Sequence, residues 1–195
     1  MKVLVACEFS GVVRDAFKIR GHEAWSCDIL ETEAQGNHIQ GRVEELYPLD
    51  EWDLVIAHPP CTALCLTGNK HYSGTVERER AIQFVKDLFE SGCRRVCIEN
   101  PVGVLSNRFR RPDQYIHPYQ FGHPVTKKTG LWLKNLPPLT PTNIVDPDEQ
   151  VVFSSGKKMS KWYYETSLLP KNQRARARSI TFQGIADAMA EQWGA

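Results

Sequence analysis

Asp53-Leu54-Val55-Ile56-Ala57 is an apolar run behind a single acid, and Pro59-Pro60-Cys61 follows it almost at once. A short apolar run closed by prolines reads as a buried strand. A second run, Val96-Cys97-Ile98, leads into Glu99-Asn100-Pro101, with the glutamate thirty-eight residues after Cys61. A thiol and a carboxylate are therefore each expected just past the carboxyl end of a strand. In a parallel sheet those ends share one edge, and ligands bind along it.

The same alternation extends in both directions. Residues 2–7 read as a first strand, and residues 12–20 as a helix with Val12, Val13, Ala16, Phe17 and Ile19 at helical spacing, stopped by Gly21. Residues 23–27 make a strand ending at Cys27-Asp28. In residues 76–91, Ala81, Phe84, Val85, Leu88 and Phe89 recur every three or four positions, which predicts a helix closed by Ser91-Gly92. Strands are expected at 95–98 and Gly130-Leu131-Trp132-Leu133, and a last helix at 181–193. Strand and helix in alternation predict an α/β fold: one domain with a doubly wound, mostly parallel sheet of the Rossmann-like type, covered on both faces. Residues 134–173 differ. Pro137-Pro138, Pro141, Pro147, Gly156 and Pro170 break any period, so this segment is expected to be a loop-rich insertion. Its second half is basic and aromatic, with Trp162, Tyr163 and Tyr164 among the cations.

Composition narrows the function. With 195 residues, 42% hydrophobic and 24% charged, the chain is an ordinary globule rather than a disordered or fibrous one. Its net charge of +1 excludes a protein that coats nucleic acid by charge alone, so any such binding needs a local patch. No apolar run approaches the roughly 20 residues that span a bilayer, which argues against a membrane partner. The N-terminus reads as a strand rather than a signal peptide. Six cysteines without a secretion signal point to reduced thiols in a cytoplasm. His58, Cys61, Cys65 and His71 lie close in sequence, but their spacing fits no common structural zinc module, and no metal is expected.

The chemistry centres on Cys61. Pro59 and Pro60 hold the chain extended, so the backbone positions the thiol. A helix N-terminus or a nearby cation would give it thiolate character. Cys65, Cys93 and Cys97 read as buried structural cysteines. A charged Glu99 at the end of an apolar strand suggests use, and burial is expected to raise its pKa toward the neutral acid, which can donate to a ring nitrogen. Together, a cysteine adding at C6 of a pyrimidine and a glutamate supporting N3 turn C5 into a nucleophile. Asn100 is expected to hold its loop through backbone bonds. The turn Glu8-Phe9-Ser10-Gly11 has one glycine where a dinucleotide fingerprint has three; it is either a plain strand-to-helix turn or a place where backbone approaches a ligand. Asp28 is either the acid that takes ribose hydroxyls or a cap. Lys127, Lys128 and the comb Arg174-Arg176-Arg178 are either phosphate contacts or a solvated basic face.

In this order, the motifs resemble the cytosine-C5 DNA methyltransferases. Phe9-Ser10-Gly11 is similar to the family's cofactor loop, Pro59-Pro60-Cys61 to its nucleophile motif, and Glu99-Asn100-Pro101 to its Glu-Asn-Val. Phe121-Gly122-His123-Pro124-Val125-Thr126-Lys127-Lys128-Thr129 resembles Tyr-Gly-Val-Pro-Gln-x-Arg-x-Arg, with Lys127 and Thr129 in the places of the two arginines. Gly184 to Ala190 is similar to the closing helix beside the cofactor loop. The likeness covers most of residues 1–133 and the last fifteen or so; the large target-recognition domain is missing, as in short chains of phage type. Val12 and Val13 stand where the family has glycines, and Arg42 near its adenine-binding aspartate.

The resemblance implies S-adenosyl-L-methionine as cofactor, held by Glu8, Phe9, Ser10, Gly11, Asp28 and Pro59. Catalysis would fall to Cys61, Glu99, Pro60 and Asn100. DNA, either a duplex with the target base flipped out or a single strand, would contact Lys127, Lys128, Thr129, Arg174, Arg176 and Arg178. Two other readings stay open. One is the same C5 chemistry on a free pyrimidine nucleotide; the other is a catalytically weak binding relative.

Overall fold

The apolar runs form the middle of a seven-stranded sheet in a computed structural model that describes residues 1–195. The strands are β1 (Lys2–Ala6), β2 (Glu23–Asp28), β3 (His38–Gln40), β4 (Leu54–Ala57), β5 (Val96–Pro101), β6 (Gln114–Ile116) and β7 (Thr129–Lys134). Their order is β3-β2-β1-β4-β5-β7-β6. β1 to β5 run parallel, and β7 is antiparallel to both β5 and β6. The chain winds outward from β1 to β3 and then returns to place β4 on the other side of β1. That reversal opens a crevice at the carboxyl ends of β1 and β4.

Both faces of the sheet are covered, which is why the central strands are apolar without alternation. Val3, Val5, Leu54 and Ile56 pack with α1 (Val12–Ile19) and α7 (Gln183–Trp193), which also contact each other. Leu4, Ala6, Val55 and Ile98 face the other way, into a second core with Ile82, Val85 and Leu88 of α3 (Val76–Phe89). Each large side chain so buried contributes roughly 1.5–3 kcal/mol, and these two layers fix the register of the parallel strands. The buried indoles are satisfied: Trp132 Nε1–H donates to the Arg110 carbonyl and Trp193 Nε1–H to that of Pro137. Short helices α2 (Asn69–Tyr72) and α4 (Leu105–Arg108) lie in the loops after β4 and β5.

Three expectations change. Glu99-Asn100-Pro101 lies inside β5 rather than beyond it, because antiparallel pairing with Leu131, Gly130 and Thr129 of β7 carries the strand past its last contact with β4. The short edge strands β3 and β6 have too few residues to give a period and were not expected from the sequence. The loop-rich reading of residues 134–173 holds only for its first part. A hairpin, β8 (Gln150–Val152) and β9 (Lys158–Ser160), is followed by α5 (Lys161–Ser167) and then α6 (Lys171–Ser179). Gly156, at φ +77°, makes the turn, and the Ser160 hydroxyl accepts the Tyr163 amide to start α5. No helix is long and apolar enough to cross a membrane.

Candidate active site

Loops at the carboxyl ends of β1 to β5 line a cleft of about 1850 Å³. Phe9 enters after β1, Asp28, Ile29 and Leu30 after β2, Arg42 after β3, His58, Pro60 and Cys61 after β4, and Pro101 from β5. The opposite wall comes from Lys127 and Lys128 before β7, Tyr163 of α5, and Arg174, Arg176 and Arg178 of α6.

Register explains the centre. Ala57 pairs with Ile98 across the parallel β4–β5 ladder, so His58 lies level with Glu99 and Pro59 with Asn100. Level residues on parallel strands project to the same side. Accordingly His58 Nδ1 lies 3.3 Å from Glu99 Oε2. One position on, the Asn100 side-chain amide donates to the Pro59 carbonyl at 2.8 Å, with Asn100 only 1% exposed. The two motifs are therefore bolted together two residues behind Cys61 and one residue beyond Glu99. Pro59 is buried and Pro60 exposed, leaving Pro60 and Cys61 on the cleft wall. Amides of Leu64 and Cys65 then turn back to the Cys61 carbonyl.

The electrostatics correct one expectation. Burial does push the Glu99 carboxyl up, but the His58 hydrogen bond, the Lys127 ammonium and the Thr129 hydroxyl together outweigh it, and its pKa lies below the ordinary value. Glu99 rests as the carboxylate, not as the neutral acid expected from burial alone. Cys61 shows the reverse balance. Burial and the neighbouring Cys65 raise its pKa, Lys127 pulls it down, Glu99 adds to the rise, and the net direction is up. Lys127 is thus the cation felt by both groups, while its Nζ–H donates to the Arg178 carbonyl at 2.9 Å.

The cofactor-loop residues divide. Phe9 and Asp28 line the cleft. Asp28 Oδ1 accepts the Leu30 amide at 2.9 Å, and beside it Ile29 and Leu30 are 67% and 54% exposed, an apolar pair open to a flat ring. Glu8 is instead buried, and its carboxylate accepts the amides of Val13 and Arg14. The helix N-terminus that usually offers its amides to an anion is already occupied by the chain's own acid. The Ser10 hydroxyl donates to Glu8 and accepts the Val12 amide. Gly11 has φ +75°, and a Cβ there would fall 2.4 Å from the buried Arg14 guanidinium, so its bareness serves packing inside the protein.

The basic residues also divide. On a helix, Arg174 and Arg178 share a side while Arg176 turns away from both. Arg176 donates through Nε–H and one Nη–H, a single guanidinium edge, to both carboxylate oxygens of Glu33, and this joins α6 to the loop after β2. Arg178 stacks on Tyr163 at 3.9 Å and donates to Thr166 Oγ1 and the Tyr163 carbonyl. Arg174 has no such partner, and Lys128 lies over the Tyr115 ring. Thr129 is 2% exposed and cannot reach a polyanion in the cleft. All six cysteines are free, and no three His, Cys, Asp or Glu side chains gather in a metal-ligating group. Sequence reasoning weighed His58 only as a metal ligand and did not place it beside Glu99. Its signal was its position one residue past the β4 core, in register with Glu99.

The chain matches no family model and no curated protein. It resembles two solved structures. One is described as a DNA modification methyltransferase encoded within an E. coli prophage, at 14% identity and a TM-score of 0.47, covering 84% of this chain and 63% of that one. The other is a mutant DNMT2 of Spodoptera frugiperda, at 16% identity and a TM-score of 0.47, covering 75% of this chain and 57% of that one. The chain spans less than two thirds of the length of either. Similarity this faint identifies neither family nor activity.

Proposed function

We propose that this chain transfers a methyl group from S-adenosyl-L-methionine to C5 of cytosine in DNA through a covalent adduct of Cys61 at C6. The observation that carries the reading is the Cys61–Glu99 constellation. A thiol on the cleft wall and a carboxylate on the adjacent strand share one cation, Lys127, and their backbones are locked by the Asn100–Pro59 bond. The thiolate of Cys61 adds to C6, and N3 takes up a proton delivered through Glu99, which must first gain one because it rests as the carboxylate. C5 then carries the electron density of an enamine and accepts the methyl group. Loss of the C5 proton to solvent expels Cys61, the N3 proton returns to Glu99, and the ring is restored. Dividing one hard substitution into two easier steps is the purpose of such an adduct.

The cleft suits the methyl donor. Asp28 keeps a carboxylate oxygen for ribose hydroxyls, and Ile29 and Leu30 give an adenine ring an apolar bed. When bound, S-adenosyl-L-methionine supplies an electrophilic methyl group. In this reading Phe9 and Asp28 hold it directly, while Glu8, Ser10 and Gly11 shape the turn. The volume exceeds the roughly 300–1,000 Å³ usual for a single small ligand, so donor and target base both have room. A cytosine in a duplex would have to leave the stack to reach Cys61.

One observation favours a second reading, the same chemistry on a free pyrimidine nucleotide. Arg176 and Arg178, two cations suited to a phosphate backbone, are engaged within the protein. An assay with tritiated methyl donor on duplex DNA, single-stranded DNA, RNA and free cytidine nucleotides decides between them. The main reading expects transfer to DNA by the wild-type chain and none by Cys61→Ala. Transfer to cytosine by Cys61→Ala removes the covalent mechanism, and transfer confined to free nucleotides favours the second reading.

A further inference from the structure

His58 is placed like a working group but has no role in the scheme so far. Its side chain is 8% exposed and lines the cleft. Nδ1 faces Glu99 Oε2 at 3.3 Å, whereas Nε2 is buried with no hydrogen-bond partner. A buried ring nitrogen without a partner carries a desolvation cost, and such orphans in native structures call for an explanation. The acidic groups that face the ring are Glu99 of β5 and the buried Glu8 after β1. Burial pushes the Glu8 carboxyl above its ordinary pKa on balance, and the field of His58 opposes that rise.

We propose that His58, through its Nδ1 contact with Glu99, is the positioning residue that stores the proton Glu99 delivers to the pyrimidine. This rests on the cytosine reading above. A resting carboxylate at Glu99 cannot protonate N3, so the proton must be borrowed, and His58 is the neighbouring side chain able to carry one near neutral pH. The balance is complete. The Cys61 thiol first releases its proton to solvent. As Sγ bonds to C6, the imidazolium Nδ1–H proton moves to Glu99 Oε2 and the carboxyl group gives a proton to N3. His58 is left neutral and Glu99 again a carboxylate. When Cys61 departs, the N3 proton returns by the same route.

The test uses the full-length chain with ¹⁵N-labelled histidine. In NMR titrations, His58 should lose its proton at lower pH in Glu99→Gln than in the wild type, because Nδ1 has lost its carboxylate partner at 3.3 Å. An unchanged His58 titration overturns the shared proton, whether or not the protein transfers methyl groups. In methyl-transfer assays, His58→Asn keeps a donor to Glu99 but cannot carry a proton. It should lose at least tenfold in kcat with KM within threefold, and the alkaline fall of its pH profile should move to lower pH. An active wild type whose His58→Asn variant keeps kcat within twofold and the same profile overturns the relay. A wild type that transfers nothing to any cytosine substrate refutes the proposed function, and the NMR titration still decides on the proton.

Discussion

The Asn100 side chain donates to the Pro59 carbonyl across the β4–β5 ladder, both residues buried, at 2.8 Å. Beyond the β4–β5 ladder, this bond ties the segment that carries the thiol to the strand that carries the carboxylate. Asn100→Ala would leave that carbonyl buried and unpaired, at a cost of about 1–3 kcal/mol. Urea unfolding of the variant should show the midpoint falling with an unchanged slope. Methyl transfer should fall further than the stability loss explains, because the Cys61–Glu99 spacing is released. Full activity in a folded Asn100→Ala protein would remove the bond from the account.

A second support lies under Cys61. Gly103 approaches the turn that follows Cys61 so closely that an added Cβ would lie 2.0 Å from the Leu64 carbonyl oxygen, a backbone atom. Val104 donates to that same oxygen, and Cys65 bridges to Gly103, so the loop after β5 braces the turn after β4. Gly103→Ala forces these backbones apart. It should destabilise by about 1–3 kcal/mol, read from thermal or urea unfolding. Iodoacetamide labelling of Cys61 should also accelerate as the turn loosens.

Much of this was legible in the sequence. The runs 53–57 and 96–98 are apolar because both sheet faces are covered, and that identified the parallel core and the edge where Cys61 lies. What was not legible depends on contacts between distant segments. The ionised state of Glu99 comes from Lys127 and His58, neither of which is near it in sequence. Arg174, Arg176 and Arg178 read as one comb because nothing local marks Arg176 as Glu33's partner, 143 residues away. Glu8 read as a ligand contact, since its true partners, the amides of α1, exist only after the helix forms. The hairpin and α5 hid behind a run of prolines and glycines whose spacing carries no period.

Lys127 should govern thiol reactivity. The Cys61 thiol is pushed above its ordinary pKa by burial, and Lys127 opposes that rise. The reactive thiolate therefore forms only as pH climbs past the ordinary cysteine range. Alkylation at Cys61, followed by peptide mass spectrometry, should be slow at neutral pH and accelerate steadily into the alkaline range. Lys127→Ala should shift that rise to still higher pH. A shift to lower pH, or none, contradicts the role given to Lys127.

The cations make a separable prediction about DNA. Arg174 is free to neutralise a phosphate, whereas Arg178 is committed to Tyr163 and Thr166. Arg174→Ala should reduce the slope of log K against log salt by about 1, and Arg178→Ala by much less. Arg178→Ala should instead loosen α5 and α6, seen as faster amide exchange across residues 161–179. Equal salt slopes in the two variants would contradict the division.

Trapping with a DNA oligonucleotide carrying 5-fluorocytosine tests the central claim most directly. Fluorine at C5 blocks the final elimination, so the covalent species accumulates. With S-adenosyl-L-methionine present, the wild-type chain should form a denaturation-resistant adduct of one protein to one strand, mapped to Cys61, and Cys61→Ser should form none. An active wild-type chain that yields no adduct, or an adduct mapped to a different cysteine, would contradict the account.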